Sequence, residues 1–277
     1  MSNLNDLEVG MVFWPGGRDT LAEIVSMGVR CGQMVLAGDL ALTPDFTAQC
    51  KAELAAADFT VVTCFAAYNG EDYADIPTVE RTVGFIPLTT RDERLRRTIE
   101  LSDFAAALGV ASIACHVGFV PHDATDANYI AVREMVRRVC DYAATHGQTF
   151  ALETGQEPAH VLLAFFKDVD RANLKINFDP ANLILYGSDA PLPALRLLAR
   201  HVVSVHAKDG NWPDVSNPNA LGHEQRLGDG SVGMQAFVNT LKEVGYSGPL
   251  CIEREAMDPA ERLVDMRYAV PYLRGLI

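Results

Sequence analysis

Short runs of apolar residues alternate with longer segments of helical periodicity along almost the whole chain. Several of these runs are apolar on successive positions, as in VGMVF at 9–13 and FTVVTCF at 59–65. A strand that is buried on both faces has this pattern, and the strands of parallel sheets are buried in this way. The chain therefore predicts eight buried strands, at 9–13, 33–36, 59–65, 110–115, 149–153, 174–178, 202–206 and 249–253.

Three segments between these strands have a clear helical pattern, with apolar residues three and four positions apart. They are 92–108 before Gly109, 126–146 before Gly147 and 232–244 before Gly245. Glycine is common directly after the last turn of a helix. Strand and helix in repeated alternation predict an α/β protein with a single (β/α)₈ TIM barrel. The 277 residues suit one such domain over 1–277, because this fold needs about 250 residues.

An open, doubly wound sheet is the alternative fold for such an alternation. It usually carries a glycine-rich phosphate loop after its first strand, whereas this chain has WPGGRDT at 14–20, which is neither GxGxxG nor a Walker loop. Two connections, 66–88 and 207–232, are longer than a turn between strand and helix needs. Both follow the carboxyl end of a strand, where barrel enzymes place their active sites, so we expect both to be lids or substrate walls.

The net charge changes the list of candidate partners. A chain with a formal charge of −13 repels nucleic acid, since a duplex carries about one negative charge per 1.7 Å. No apolar run approaches the ~20 residues that cross a bilayer, so we expect no membrane partner. A small molecule is left as the expected partner.

Two features predict a cytoplasmic location. The N-terminal sequence MSNLNDLEVGMVF has neither a basic start nor an apolar signal core. None of the six cysteines forms a CxxC pair, and most lie in apolar stretches. We interpret them as buried free thiols of a reducing compartment, and we expect neither a disulfide framework nor a structural zinc site.

A side chain that can bind metal closes each of the last four predicted strands. These are Glu153 in FALETG, Asp179 in INFDPAN, His206 in VSVHAKD and Glu253 in LCIERE. Neighbouring strand ends of a barrel converge, so three carboxylates and one imidazole should meet at its mouth. Clustered carboxylates repel one another unless a cation or protons lie between them. We therefore predict one divalent ion, Mn²⁺, Mg²⁺ or Co²⁺, with Zn²⁺ also compatible.

The motifs around these residues resemble a known family, the xylose isomerase-like barrels of the sugar phosphate isomerase/epimerase group. The resemblance rests on LETG at 152–155, FDPAN at 178–182, VHAKD at 205–209, LGDGSVG at 227–233 and GYSGPLCIERE at 245–255. It covers the last half of the chain with specific motifs, and the first half matches mainly in its strand–helix rhythm. The resemblance implies a (β/α)₈ barrel, metal bound by the four residues named above, and relatives that are often homo-oligomers.

The same resemblance implies a reaction. A metal-bound carbonyl of a small sugar, keto-sugar or sugar phosphate would be polarised, and Glu153 and Glu253 would face opposite sides of the substrate as catalytic groups. One glutamate would remove the proton next to the carbonyl and the other would return one, which gives epimerisation or isomerisation. Five further residues are candidate substrate contacts, with a structural role as the competing interpretation of each: His116, Asn182, Lys208, Arg226 and Trp14.

Three other functions compete with this hypothesis. Endonuclease-IV-type apurinic endonucleases share the four ligands but hold three zinc ions with additional histidines. The chain has FAAY at 65–68, Asn182 and GHEQR at 222–226 where those enzymes carry further ligands. A metal-dependent lyase or hydrolase that acts on 3-keto-glycosides would use the same site. A metal-stabilised scaffold or sugar-binding module is the non-enzymatic alternative, which a turnover assay distinguishes.

Overall fold

A computed structural model describes residues 7–217 and 219–277 of the chain. Eight parallel strands form a closed barrel, and two further strands form a hairpin. The ten strands of the described residues are β1 Glu8–Phe13, β2 Cys31–Leu36, β3 Thr60–Ala66, β4 Ser112–Cys115, β5 Thr149–Glu153, β6 Leu174–Phe178, β7 Val202–Ala207, β8 Asp209–Asn211, β9 His223–Gln225 and β10 Pro249–Ile252. Around the barrel its eight strands lie in the order β1-β10-β7-β6-β5-β4-β3-β2, and β8 and β9 form the hairpin. The pairing of β1 with both β2 and β10 closes the sheet. This confirms the TIM barrel and excludes the open doubly wound sheet.

Helices follow the strands and surround the barrel. They are α1 Leu21–Ser26, α2 Pro44–Ala56, α3 Ile76–Thr82, α4 Arg91–Leu108, α5 Ala127–Thr145, α6 Ala159–Val169, α7 Pro180–Leu185, α8 Pro191–Leu198, α9 Met234–Glu243 and α10 Pro259–Arg274, with a 3₁₀ turn at Ala199–His201. The three helices predicted from periodicity agree with α4, α5 and α9 to within two residues at each end.

Local sequence explains where the predicted helices begin and end. Asp126 precedes α5, and its carboxylate accepts hydrogen bonds from the backbone N–H groups of Asn128 and Tyr129. Helix α4 ends at the C-cap Gly109, whose φ of 80° is a left-handed conformation that residues with a Cβ rarely adopt. These two signals are local, and the sequence pattern therefore predicts both boundaries well.

Alternation along the strands separates two apolar regions. The large core lies between the barrel and the helices and takes residues such as Met11, Ile113 and Leu250. Residues of the opposite parity form a small separate cluster: Val12, Val35, Phe65, Ala114, Ala151 and Cys251. Because successive side chains of a strand point to opposite faces, this second set faces the barrel interior. Positions two residues further along each strand face inward as well.

The two long connections contain structure that the sequence did not predict. Segment 66–88 carries α3, which starts with Pro77 in its first turn after the N-cap Asp75. Segment 207–232 carries an antiparallel hairpin of β8 and β9, in which Asp209 pairs with Gln225. Both connections leave the carboxyl ends of barrel strands, as expected.

One carboxylate holds both ends of the second connection together. Asp209 is buried, and its two oxygens accept hydrogen bonds from four backbone N–H groups at distances of 2.9–3.1 Å. The donors are Gly210 directly after it and Gly228, Gly230 and Val232 at the far end. Four hydrogen bonds to one buried carboxylate fix the backbone around it.

Within the described ranges, no helix combines the length and apolar character that a membrane span requires. All six cysteines are buried and unpaired, in agreement with the free thiols predicted from their spacing. Burial raises the pKa of thiols such as Cys64 and Cys140, which keeps them protonated and unreactive.

A buried carboxyl between β5 and α6 makes a prediction about stability. Glu157 accepts a hydrogen bond of 2.6 Å from the Val120 N–H, and burial raises its pKa to about 8. In the unfolded chain a glutamate ionises near pH ~4.3. Between these two pKa values the folded chain holds a proton on Glu157 that the unfolded chain has lost. The free energy of unfolding should therefore fall as the pH rises from about 4.3 to about 8.

Replacing Glu157 with Gln keeps the acceptor oxygen and removes the ionisation. We expect Glu157→Gln to be more stable than the wild type at pH 8, by about 3–5 kcal/mol, and to be similar near pH 5. Denaturant unfolding across this pH range measures the difference. Glu134→Gln on the exposed face of α5 is the control, and a Glu157→Gln difference that does not grow with pH would contradict the prediction.

Candidate metal and substrate site

The four residues predicted as metal ligands meet at one point of the barrel mouth. Each offers one ligand atom, and these atoms all lie within 4.8 Å of one another. His206 Nδ1 is 3.2 Å from Glu153 Oε1, 3.4 Å from Asp179 Oδ2 and 3.3 Å from Glu253 Oε2. Each ligand position lies two residues beyond an inward-facing strand position, which explains why all four side chains converge.

Polar side chains inside the barrel orient the His206 ring. Nε2 lies 3.1 Å from Gln33 Oε1 and 3.2 Å from Asn177 Nδ2. Gln33 Nε2 and the Ser204 hydroxyl both donate to Asn177 Oδ1, which fixes the orientation of both amides. With the Nε2 proton donated to Gln33, the Nδ1 lone pair points at the three carboxylates. A metal-binding histidine typically donates its second N–H to an oxygen in this way.

The electrostatics of the cluster favour a cation. Asp179 Oδ2 and His206 Nδ1 are buried and lack a hydrogen-bond partner among the described residues. Burial disfavours a charged imidazolium, yet the negative charges of Glu253 and Glu153 raise the pKa of His206 well above its usual value. A site that holds a proton so strongly also attracts a metal ion. Three carboxylate oxygens and one imidazole nitrogen therefore fit a divalent cation.

Both oxygens of Glu153 contact side chains outside the cluster. Asn182 Nδ2 donates to Oε1 at 2.9 Å, and His116 Nε2 lies 3.4 Å from Oε2. Asn182 stands in the first turn of α7, which begins after Asp179, so one short helix carries both a candidate ligand and a partner of another ligand. His116 packs edge-on against Phe65 and keeps a buried Nδ1 without a partner among the described residues.

Glu253 instead has a cationic partner. Lys208 Nζ donates to Glu253 Oε2 at 3.0 Å, and it also donates to Glu255. Burial would raise the pKa of Glu253, but His206 and Lys208 lower it well below its usual value. Burial likewise opposes the charge of Lys208, and its glutamate neighbours raise its pKa well above the ordinary one. Lys208 and Glu253 are therefore both charged and form an ion pair at the cavity wall, in which the lysine is buried and the glutamate is partly exposed.

A cavity of about 460 Å³ opens above this cluster. Its wall includes residues of the two long connections, such as Glu71 and Tyr73 from segment 66–88 and Leu221 and Glu224 from segment 207–232. Its volume lies within the range of about 300–1,000 Å³ that is usual for small-molecule sites. The cavity thus joins the candidate metal cluster to a space large enough for a small molecule.

Four of the five predicted substrate contacts line this cavity: Trp14, His116, Asn182 and Lys208. Arg226 lies elsewhere. Its guanidinium pairs with Asp229 at 2.8 Å and stacks over the ring of Tyr268 at 4.2 Å. Asp229 and Tyr268 therefore hold Arg226, which is not part of the cavity wall, and we leave it out of the function proposed below.

No local pattern singled out several residues of the wall, although five of them lie in the segments 66–88 and 207–232 that were expected to be lids or substrate walls. They are Arg18, Tyr68, Glu71, Tyr73, Leu185, Tyr186, Leu221, Glu224 and Glu255. Glu255 lies two residues after Glu253 in IERE, and this alternation is a signal that the sequence does contain. Glu224 is half-buried and accepts hydrogen bonds from Arg254 and from the backbone N–H of Glu255, and the burial of its carboxyl raises its pKa to about 7. Its position depends on the hairpin, which no local pattern indicates.

Comparisons with known proteins agree with the fold and the site. The sequence profile described as "Xylose isomerase-like TIM barrel" matches residues 21–274. A solved xylose isomerase domain protein from Planctomyces limnophilus is 41% identical, over 98% of this chain and 97% of that one, with a TM-score of 0.94. A xylose isomerase-like TIM barrel protein from Mycobacterium smegmatis, solved in complex with magnesium, is 17% identical over 100% and 99% of the two chains, with a TM-score of 0.68. This second likeness concerns the fold alone.

A ketose 3-epimerase from Arthrobacter globiformis is 29% identical over 149 residues, which are 54% of this chain and 43% of that protein. The chain aligns with between 31% and 50% of the length of the curated relatives it matches.

Proposed function

Because the chain belongs to the xylose isomerase-like TIM barrel family, we propose that it is a metal-dependent isomerase or epimerase of a small sugar or keto-sugar. The observation that carries the proposal is the four-residue cluster, two members of which, Glu153 and Glu253, also line the cavity. The partial identity to a ketose 3-epimerase supports the same class of reaction.

The cluster would hold one divalent metal ion. Its ligands would be the carboxylates of Glu153, Asp179 and Glu253 and Nδ1 of His206. When bound, such an ion polarises a substrate carbonyl and makes the neighbouring C–H more acidic. Three carboxylates suit a hard divalent cation, and the Mycobacterium smegmatis protein was solved in complex with magnesium.

The two glutamates would move the proton. Lys208 donates to Glu253 Oε2, whereas Oε1 accepts no hydrogen bond from the residues that the structure describes, so Oε1 is the oxygen that would accept a proton. Glu153 Oε2 faces His116, which can donate to it or accept from it. The substrate would lie between these two carboxylates, one on each side of the reacting carbon. Each would serve as base in one direction and as acid in the reverse one.

The charges of the wall favour an uncharged sugar. Five glutamates line the cavity, against Lys208 and Arg18 as its cations. Lys208 already donates to two of the glutamates, and Arg18 is 4.0 Å from Asp19 and stacks on Trp14. A phosphate group carries almost two negative charges and usually requires several donors. We therefore propose a substrate without phosphate, although sugar phosphates are processed elsewhere in this group.

Hydrogen exchange tests the proposed function directly. The metal-loaded protein is incubated in D₂O with free ketoses, ketose phosphates and 3-keto-glycosides, and NMR follows each C–H next to a carbonyl. We expect deuterium uptake and a new epimer or isomer from an uncharged sugar, and a rate at least ~10-fold lower with its phosphate. The chelated protein is the control.

Two outcomes would redirect the proposal. Release of an aglycone from a 3-keto-glycoside without epimer formation would identify the lyase that the sequence left open. Absence of exchange in every sugar would contradict the isomerase or epimerase.

A further inference from the structure

We propose that the Tyr186 hydroxyl recognises a hydroxyl group of the sugar, and that Gln156 fixes Tyr186 for this role. The inference rests on the proposed function and concerns the selectivity of the same cavity. Neither residue belongs to the metal cluster, and neither followed from the sequence pattern.

Tyr186 is placed by the same short helix that organises the cluster. Asp179 precedes α7, and Tyr186 follows its last residue as the C-cap. Residues four apart share one face of a helix, so Tyr186 lies one turn beyond Asn182, which donates to Glu153. The backbone N–H of Tyr186 donates to the Asn182 carbonyl at 3.0 Å. Tyr186 therefore lines the cavity at a position rigidly connected to Glu153.

Packing fixes the ring as well. Phe119 contacts it edge to face, with ring centroids 5.6 Å apart and an interplanar angle of 87°. On another side lies Gly155, where a Cβ would stand 3.0 Å from the tyrosine ring and 2.7 Å from the Asn182 side chain. Gly155 also has a φ of 152°. Glycine is thus required here for the ring to lie against the backbone.

Gln156 is the next residue, and its side chain lies beside the tyrosine hydroxyl. It is 4% exposed, and neither Oε1 nor Nε2 makes a hydrogen bond of good geometry to the described residues. A buried amide without partners is destabilising and calls for an explanation. A chain of hydrogen bonds from Gln156 through Tyr186 to a sugar hydroxyl would satisfy it when the substrate binds.

The chemistry of this pair suits a hydroxyl group. Burial raises the pKa of Tyr186, so its hydroxyl stays neutral and can both donate and accept. Sugar hydroxyls have the same dual character. A site with buried polar groups rejects an analogue that lacks the matching hydroxyl, because these groups then remain unpaired. Tyr186 would thus determine specificity, and Gln156 would be a positioning residue.

The experiment compares a ketose that the wild type converts with its monodeoxy analogues, one position at a time. We expect the wild type to disfavour one of these analogues by about 10-fold or more in kcat/KM. For each analogue, the ratio is kcat/KM of the parent ketose divided by kcat/KM of the analogue. In Tyr186→Phe the ratio for the disfavoured analogue should fall to about 1–3, while the ratios for the other analogues stay unchanged. Gln156→Met, of similar volume, should lower the same ratio in part. Calorimetric binding of the corresponding alditol, which cannot react, gives an independent measurement.

Tyr142→Phe is the matched control, because the Tyr142 hydroxyl bonds to Asp103 on the surface. It should keep every ratio of the wild type. A Tyr186→Phe variant that is folded and still discriminates like the wild type would overturn this inference and leave the proposed function intact. If the wild type neither converts nor binds any sugar of the panel, the proposed function and this inference fail together.

Discussion

Replacing Glu153 or Glu253 with glutamine is expected to lower turnover by about 10²–10⁴-fold, even at saturating metal. A neutral amide retains one oxygen that can bind a cation, but it does not accept a proton at neutral pH. Lost metal affinity can be offset by more metal, whereas lost proton transfer cannot. The two substitutions therefore separate a chemical role from simple ligation.

Isotope exchange distinguishes the two glutamates in the same experiment. If each serves one face of the substrate, one variant should still exchange the proton of a given epimer while failing to complete its conversion. The control is Glu243→Gln. Glu243 is an exposed residue of α9 that pairs with Arg196 of α8, and this variant should retain full activity. Full recovery of both site variants at high metal concentration would contradict the two-glutamate mechanism.

Loss of the metal should have the second large effect. We expect about one divalent ion per chain in protein purified without chelator, and less than a tenth of that in Asp179→Ala. Metal at 100 times its dissociation constant stabilises the folded state by about 2.7 kcal/mol, which corresponds to a change in Tm of roughly 5–10 °C for a chain of this size. Chelation should lower the Tm of the wild type by this amount and leave Asp179→Ala almost unchanged.

The affinity for metal should also depend on pH in a definite direction. The negative charges around His206 raise the pKa of its imidazole, so a metal must displace a proton from Nδ1. Apparent affinity should therefore fall by about tenfold for each pH unit below that pKa. Asp103→Ala on the surface is the control for metal content. Two or three ions per chain would contradict this site and favour the nuclease-like cluster.

The sequence predicted the barrel and the ligand cluster because both depend on local periodicity. Runs of apolar residues identify the eight strands, and each ligand lies two positions beyond an inward-facing residue, as Glu153 does beyond Ala151. Closure of the barrel then brings these positions together without further information. Strand ends were less well predicted, since Glu253 lies one residue beyond β10. Hydrogen bonding between strands, which no single segment contains, sets such boundaries.

The cavity wall was predicted less completely, for a physical reason. Tyr186 and Glu224 reach the cavity because α7 and the hairpin fold back over the barrel mouth, and these are contacts between distant segments. Arg226 illustrates the opposite case. Its position before LGDG indicated a substrate contact, but the ring of Tyr268 on α10, forty-two residues later, lies beneath its guanidinium. A residue's neighbours in sequence do not reveal such a partner.

Asp209 separates the reacting centre from a segment that forms part of the cavity wall. Its carboxylate lies directly after Lys208 and binds backbone N–H groups at both ends of segment 207–232. The residues between these ends therefore begin and finish at fixed positions. A loop of another length or sequence could replace 212–221, between the paired strands β8 and β9, without moving Lys208 or the ligands behind it. Because Leu221 of this loop lines the cavity, exchanging the loop between related barrels, in evolution or by design, would alter the substrate site and leave the metal ligands in place.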